Sequence, residues 1–315
     1  MRIESLIRII DGVLQNTPSI HFIENFQTNP QKIERGFAYL DISNSYEDMK
    51  IAVANGAYAI ITNNFYTILD EEIAWIQTKD IQLAILKLSR FFVQEKRLKI
   101  LKLSKLHFDL LNALHVKIKF FKNSLYELFF QILNAKDETL FALKENEYSD
   151  IIMPSKSQID KDLKPQKLFS KGLFLSSFVF EEKYYHEVKI SSLFVPQLCQ
   201  LLKCLETFKL EVHLENLNHF IHFYPQFVDK KLVKKEFGTS SCVLIFEPDE
   251  ELFNQEMLYL QKFSLEHTLF LQNSTNEEKL AKLQNAHFRY ALLHSSFEDF
   301  GELLKENSNR QLTLL

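Results

Sequence analysis

Glycine is scarce in this sequence. Six occur in 315 residues, where average usage would give roughly 22. None lies between Gly56 and Gly172. That interval therefore holds no glycine-built turn of the kind that lets consecutive backbone N–H groups curl round a phosphate with no Cβ in the way. Cysteine is scarce as well. Cys199, Cys204 and Cys242 are too few and too irregular for a disulfide framework, which fits a reducing compartment and predicts a cytoplasmic protein. No run of 18 apolar residues exists, so no segment reads as a membrane-spanning helix. The opening MRIESLIRIIDG carries charges throughout and lacks the continuous apolar core of a secretion signal. Basic charge is not in excess either. A net charge of −4 and a pI near 6.2 argue against a general nucleic-acid surface. The one dense basic run, Lys230-Lys231-Leu232-Val233-Lys234-Lys235, reads as a solvated face.

Apolar residues are plentiful, 46% of the chain with 29 phenylalanines, and the length suits two or three domains with sizeable cores. The apolar spacing of Ile3, Leu6, Ile7 and Ile10 predicts a helix over 3–11, stopping at Gly12. Strands are predicted at Ile20–Phe26, Phe37–Leu40, Ala57–Thr62 and Ile73–Gln77. Between them a helix over about 46–55 is capped by Asn44 or Ser45 and ends at Gly56. Asp80 opens a long amphipathic helix with Leu83, Leu86, Leu88, Phe91 and Phe92 inward. Alternating strands and helices make 1–100 a layered α/β domain.

A Lys- and Leu-rich helix then leads into 116–133 (VKIKFFKNSLYELFFQIL), which reads as strand end, tight turn and amphipathic helix. The composition of 136–171 predicts surface loops with short strands. Gly172–Phe180 and Tyr184–Ile190 read as paired strands, Pro196–Phe208 and Leu214–Phe223 as helices. From Ser240 the pattern alternates again: strand to Phe246, helix Asp249–Phe263, strand His267–Gln272, helix Asn276–Ala286, strand Phe288–Leu293, helix Phe297–Lys305. The expected division is 1–100, 101–228 and 229–315.

Several clusters invite a chemical reading. His219 and His222 sit three apart with His213 nearby, a spacing that on a helix turns two imidazoles to one face. A zinc ion wants more ligands than these, and partly buried ordinary histidines account for them. Glu247, Asp249, Glu250 and Glu251 lie at a strand-to-helix boundary, where helix capping accounts for carboxylates. No local spacing nominates a catalytic triad.

The order of elements resembles the Mur ligases of peptidoglycan synthesis, best the branch that adds D-Ala-D-Ala or a diamino acid to the UDP-linked peptide. Where that branch has TDSR-x-V-x-P-G, this chain has Thr28-Asn29-Pro30-Gln31-Lys32-Ile33-Glu34-Arg35-Gly36. Where it has DGH-x-F-I-x-x-A-x-x-x-G-A, this chain has Asn44-Ser45-Tyr46 through Ala52 and Gly56-Ala57. The resemblance implies a three-lobed α/β architecture with a reduced central domain and a short Rossmann-like C-terminal domain. It also implies a uridine-nucleotide site at Thr28, Asn44 and Tyr46. In the family a strand, then T-G-x-x-G-K-T-T, then a helix binds phosphate. Aligned on Glu127-Leu128, Lys122 and Ser124 stand as the vestige of that loop, while Ile118 and Phe121 replace the glycines. The junction F-x-P-x-x-x-R looks like Phe223–Lys230, and the D-D-x-Y-N-A-N-P strand end looks like Leu244–Glu250.

With the magnesium ligands and the adenine-contacting set unmatched, the resemblance implies no catalytic residues, no metal and no cofactor. The expected function is a cytoplasmic scaffold or binding partner in peptidoglycan precursor synthesis or cell-shape assembly, with proteins of those processes as partners and neither nucleic acid nor a membrane span involved. Two alternatives stay open. One is an active amide ligase using ATP and magnesium through an atypical phosphate loop. The other is a regulator that binds a UDP-muramyl peptide.

Overall fold

The computed structural model describes residues 1–121, 124–154, 159–263 and 267–312. The chain divides into two compact units, Met1–Ser104 with Ile118–Gln158, and Lys105–Lys117 with Ile159–Leu315. Segments of the expected middle lobe, 101–228, thus contribute to both.

The first unit holds two sheets. Its N-terminal sheet has the order β1-β5-β4-β3-β2, from β1 (Val13–Leu14), β2 (Asn25–Gln27), β3 (Phe37–Leu40), β4 (Ala59–Thr62) and β5 (Ala74–Gln77). β2 to β5 run parallel, and only β1 is antiparallel. Parallel strands covered on both sides read as continuous apolar runs; accordingly all four residues of β4 are buried. α1 (Ile3–Ile10) buries Ile3, Leu6 and Ile10 at helical spacing. α2 (Tyr46–Ala54) starts where Asp48 N–H donates to Ser45 Oγ at 3.3 Å, and it stops at Gly56, whose φ of +89° suits a residue without Cβ. α3 (Ile81–Glu95) is capped by Asp80, which accepts from the N–H groups of Gln82 and Leu83. Leu83, expected inward, is 39% exposed.

The second sheet of this unit is all parallel, order β6-β8-β7, from β6 (Lys99–Leu103), β7 (Lys119–Phe120) and β8 (Leu140–Lys144). β6 was legible only as helix, since Lys99 and Lys102 interrupt the apolar run. Ser104 alone joins β6 to α4 (Lys105–Ala113) of the second unit. α5 (Leu125–Leu133) and α6 (Glu147–Ile152) pack against α3, so one core runs through both sheets. At its centre Phe129 meets Phe26 edge-on, with centroids 5.8 Å apart, and Phe92 at a tilt, with centroids 6.4 Å apart.

The second unit also has two sheets. β9 (Lys167–Lys171), β10 (Leu175–Phe180) and β11 (Lys183–Val188) form an antiparallel ribbon. α7 (Val195–Thr207) packs against α4. The other sheet has the order β12-β13-β15-β14, from β12 (Tyr224–Val228), β13 (Cys242–Glu247), β14 (Thr268–Leu271) and β15 (Tyr290–His294), parallel except for β12. α8 (Glu250–Lys262), α9 (Asn276–Asn285) and α10 (Phe297–Leu312) complete it.

Three expectations need correction. Ile20–Phe26 is extended but enters the sheet only at Asn25. Leu214–Phe223 is not an α-helix: a 3-10 stretch, Leu214–His219, gives way to extended chain. His219 and His222 therefore do not share a helix face; the first is exposed and the second fully buried.

Candidate functional site

In a parallel α/β sheet the loops beyond the carboxyl ends of the strands converge on a crevice, and ligands bind there. In the N-terminal sheet those loops begin at Thr28 after β2, Asp41 after β3 and Asn63 after β4. Parallel register, with Gln27 beside Tyr39 and Leu40 beside Ile61, brings them to one edge.

Asp41 is the unexpected member of this edge. It is fully buried; Oδ2 accepts the Thr62 hydroxyl at 2.8 Å, and Oδ1 has no hydrogen-bond partner. Asn63 Oδ1 is a second buried acceptor without a partner. Buried acceptors left open cost free energy unless something donates to them. Around them Asn44, held at φ +53°, accepts from Asn64 Nδ2 at 3.2 Å, and Asn64 also donates to the Tyr66 hydroxyl at 3.1 Å. The Tyr46 and Tyr66 rings lie 5.7 Å apart, with the Lys50 ammonium 4.4 Å from the Tyr46 centroid. Tyr39 and Ser43 hydroxyls are 3.4 Å apart, and Ser43 donates to Asp48 at 2.7 Å. Burial pushes the Tyr39 phenol up to about 12, so it stays a neutral hydroxyl. A cavity of about 110 Å³ opens beside Thr62, Asn64, Tyr66, Trp75 and Gln77.

Of the expected uridine residues, Asn44 and Tyr46 thus come together within one network, and Thr28 stands on the same sheet edge, two strands away from β4. No local pattern marks Asp41, Asn63, Asn64 or Tyr66, since their convergence depends on strand order. The arrangement suits a ligand that donates hydrogen bonds, such as a diol, an amide or an imide, and offers an aromatic face to a planar ring.

The expected phosphate loop is the strand β7, the connection 121–124 and helix α5. Lys122 lies outside the described residues. Ser124 holds the position before α5 without capping it through its side chain. Phe121, which stands in place of a glycine of that loop, turns inward. It is buried and stacks on Phe141 of β8, centroids 4.3 Å apart with planes 1° from parallel. What the connection lacks is glycine.

A second polar cluster was not foreseen. Glu247, at the carboxyl end of β13, is fully buried rather than exposed as a helix cap. Its Oε1 accepts from His222 Nδ1 and from Asp249 N–H, each at 2.8 Å, and its Oε2 accepts from Phe223 N–H at 3.3 Å. His222 Nε2 lies 3.0 Å from Asp109 Oδ2 on α4. Burial alone would lower the imidazole, but its bonds to Asp109 and Glu247 outweigh that and raise it to about 9. Both ring nitrogens therefore donate, and neither is left to take a proton from a nucleophile. Asp249 does cap α8, and its carboxyl also pairs with Lys105. Glu256, buried on α8, has no partner for either oxygen; burial and then the nearby Glu247 raise its carboxyl well above the usual carboxylate range. Among the described residues no group of three or more His, Cys, Asp or Glu forms a metal site, and no helix is long and apolar enough to cross a membrane.

No protein-family model and no curated protein sequence matches the chain. Solved structures do. A MurF ligase from Thermotoga maritima in complex with ADP superposes with a TM-score of 0.57 at 12% identity, covering 91% of this chain and 98% of that one. The UDP-N-acetylmuramoylalanyl-D-glutamyl-2,6-diaminopimelate--D-alanyl-D-alanyl ligase from Acinetobacter baumannii does so with a TM-score of 0.52 at 12% identity, covering 97% and 98%. The chain has the α/β fold of the Mur ligases.

Proposed function

We propose that this protein is a non-catalytic Mur-ligase-like protein that serves as a scaffold or binding partner in peptidoglycan precursor synthesis or cell-shape assembly. One observation carries the reading. The strand-to-helix connections between 99 and 158, where a ligase of this fold would wrap ATP, contain no glycine. One of them is the single residue Ser104. In the connection from β7 to α5 the side chain at Phe121 packs into the core. A phosphate cradle needs several consecutive N–H groups pointing inward along a curved backbone, and a one-residue connection has no such arc. The proposed partners are proteins of cell-wall synthesis or cell shape, and the proposed compartment is the cytoplasm.

Calorimetry with ATP and magnesium tests this, together with phosphate release in the presence of a UDP-muramyl peptide and D-Ala-D-Ala. The expected result is no heat of binding and no phosphate above background. Micromolar ATP affinity or turnover would establish instead the active ligase with an atypical loop.

A second reading is favoured by a separate observation. The open acceptors of Asp41 and Asn63 support a regulator that retains a uridine-type pocket for a UDP-muramyl peptide. Binding to the folded state raises stability by about 2.7 kcal/mol at a hundredfold excess over Kd. A melting temperature that rises with UDP-muramyl peptide, and no longer rises in Asp41→Asn, is the expected outcome of this reading; a flat response in the unaltered protein sinks it.

A further inference from the structure

Unit two contains a cavity of about 220 Å³ that the ligase-like reading does not use. Its walls are aromatic. Phe174, from the β9–β10 turn, lies 5.6 Å from Phe223 and 6.1 Å from Phe227; Phe227 meets Phe237 at 5.0 Å. Phe220 and Leu217, both buried, also line it. Phe237 is 40% exposed and forms the rim.

Two ammonium groups border the same cavity. Lys189 follows β11, and its Nζ stands 5.4 Å from the Phe237 centroid. It has no carboxylate partner among the described residues. Lys235 is the other, and it pairs with Asp229 at 3.2 Å. The carboxyl nearest Lys189 in sequence, Glu187, is already taken by Lys171 at 2.6 Å.

The backbone beside the cavity is strained. Phe223 sits at φ +48°, a region that bulky residues avoid and that recurs where a ligand is gripped. Its N–H donates to buried Glu247, so the strain is held in place by the cluster behind it.

We propose that this cavity binds a small planar aromatic acid. The ring lies among Phe174, Phe227 and Phe237, and the acid group meets Lys189 first and Lys235 second. The size limits the class. Sites for drug-sized molecules run to roughly 300–1,000 Å³, so this one admits one or two fused rings and not a nucleoside polyphosphate. The chemistry supplies the rest: aromatic walls favour a π-face, and an exposed ammonium at the rim, with no carboxylate partner among the described residues, favours an anion. The proposal is independent of whether the protein binds ATP.

The test uses the full chain and indole-3-acetate as probe, with binding followed by saturation-transfer NMR titration. Saturable one-to-one binding is expected. Indole-3-acetamide, which lacks the charge, and cyclohexylacetate, which lacks the ring, are each expected to bind about tenfold more weakly. Lys189→Gln is expected to weaken indole-3-acetate by a similar factor, and Phe237→Ala, at the exposed rim, by at least as much. Absence of saturable binding overturns the proposal, as does equal binding of the acid and the amide. ADP displacing the probe with higher affinity overturns it in favour of a nucleotide site. The comparison of acid with amide on the unaltered protein keeps the proposal open to refutation even if a variant fails to fold.

Discussion

Replacing His222 with alanine is expected to lower stability by about 3–5 kcal/mol, the usual cost of removing one partner from a buried ion pair. Here the removal strands two carboxyl groups at once. Glu247 is fully buried and Asp109 largely so, each within 3.0 Å of an imidazole nitrogen. The unaltered protein is expected to show the pair through its pH dependence. His222 is raised from 6.5 to about 9, so folding takes up a proton. Its contribution is fully present below about pH 6.5 and is lost as pH rises through about 9. Glu256, also raised, acts in the same sense from its ordinary carboxylate value upward. One pKa unit is about 1.36 kcal/mol, so the histidine alone accounts for roughly 3 kcal/mol across that window. Urea midpoints between pH 6 and 10 measure it, with His222→Gln as the milder variant should the alanine protein not fold. A midpoint that stays level from pH 6.5 to 9 in the unaltered protein would show that His222 is not held as an imidazolium.

Phe129→Ala should cost a similar amount, about 3–5 kcal/mol, for a different reason. The ring is fully buried on α5 and touches Phe26 from β2 and Phe92 from α3. It therefore joins the core of the N-terminal sheet to the helices of the β6-β8-β7 sheet, within one unit. Truncation loses the transfer energy of a large apolar side chain and leaves a cavity that three fixed elements cannot collapse to fill. The edge-to-face contact with Phe26 adds a smaller loss. Guanidinium unfolding checks the figure, and Phe129→Leu, which keeps most of the volume, should lose only a fraction of it. A loss under about 1 kcal/mol for the alanine variant would mean that the two sheets do not share a cooperative core.

Local signals were read well where one residue dictates geometry. Asp80 and Asp249 cap α3 and α8 through their side chains, and Ser45 caps α2, because a short polar side chain before an apolar-periodic run has little else to do. The buried strands β3, β4 and β13 were legible as short apolar runs between turn residues. The misreadings have physical causes too. β6 carries Lys102, which is buried yet paired with Asp150 of α6, a partner 48 residues away that no local pattern reveals. The segment after Leu214 has helical apolar spacing, but Phe220 and His222 face the second unit's core as extended chain. The candidate site was half legible: Asn44 and Tyr46 came from the ordering of motifs, whereas Asp41 looked like any residue at a strand end.

By itself the sequence determined the α/β class and the absence of glycine between Gly56 and Gly172. Those follow from what each residue type permits its own backbone to do. Tertiary structure alone decided which polar groups become buried without partners or with charged ones, as at Asp41, His222 and Glu256, and where phenylalanines from distant segments leave a hollow between them. Burial and pairing are properties of strand order and packing, and residues that are ordinary in the chain acquire their chemistry only from the neighbours that folding assigns them.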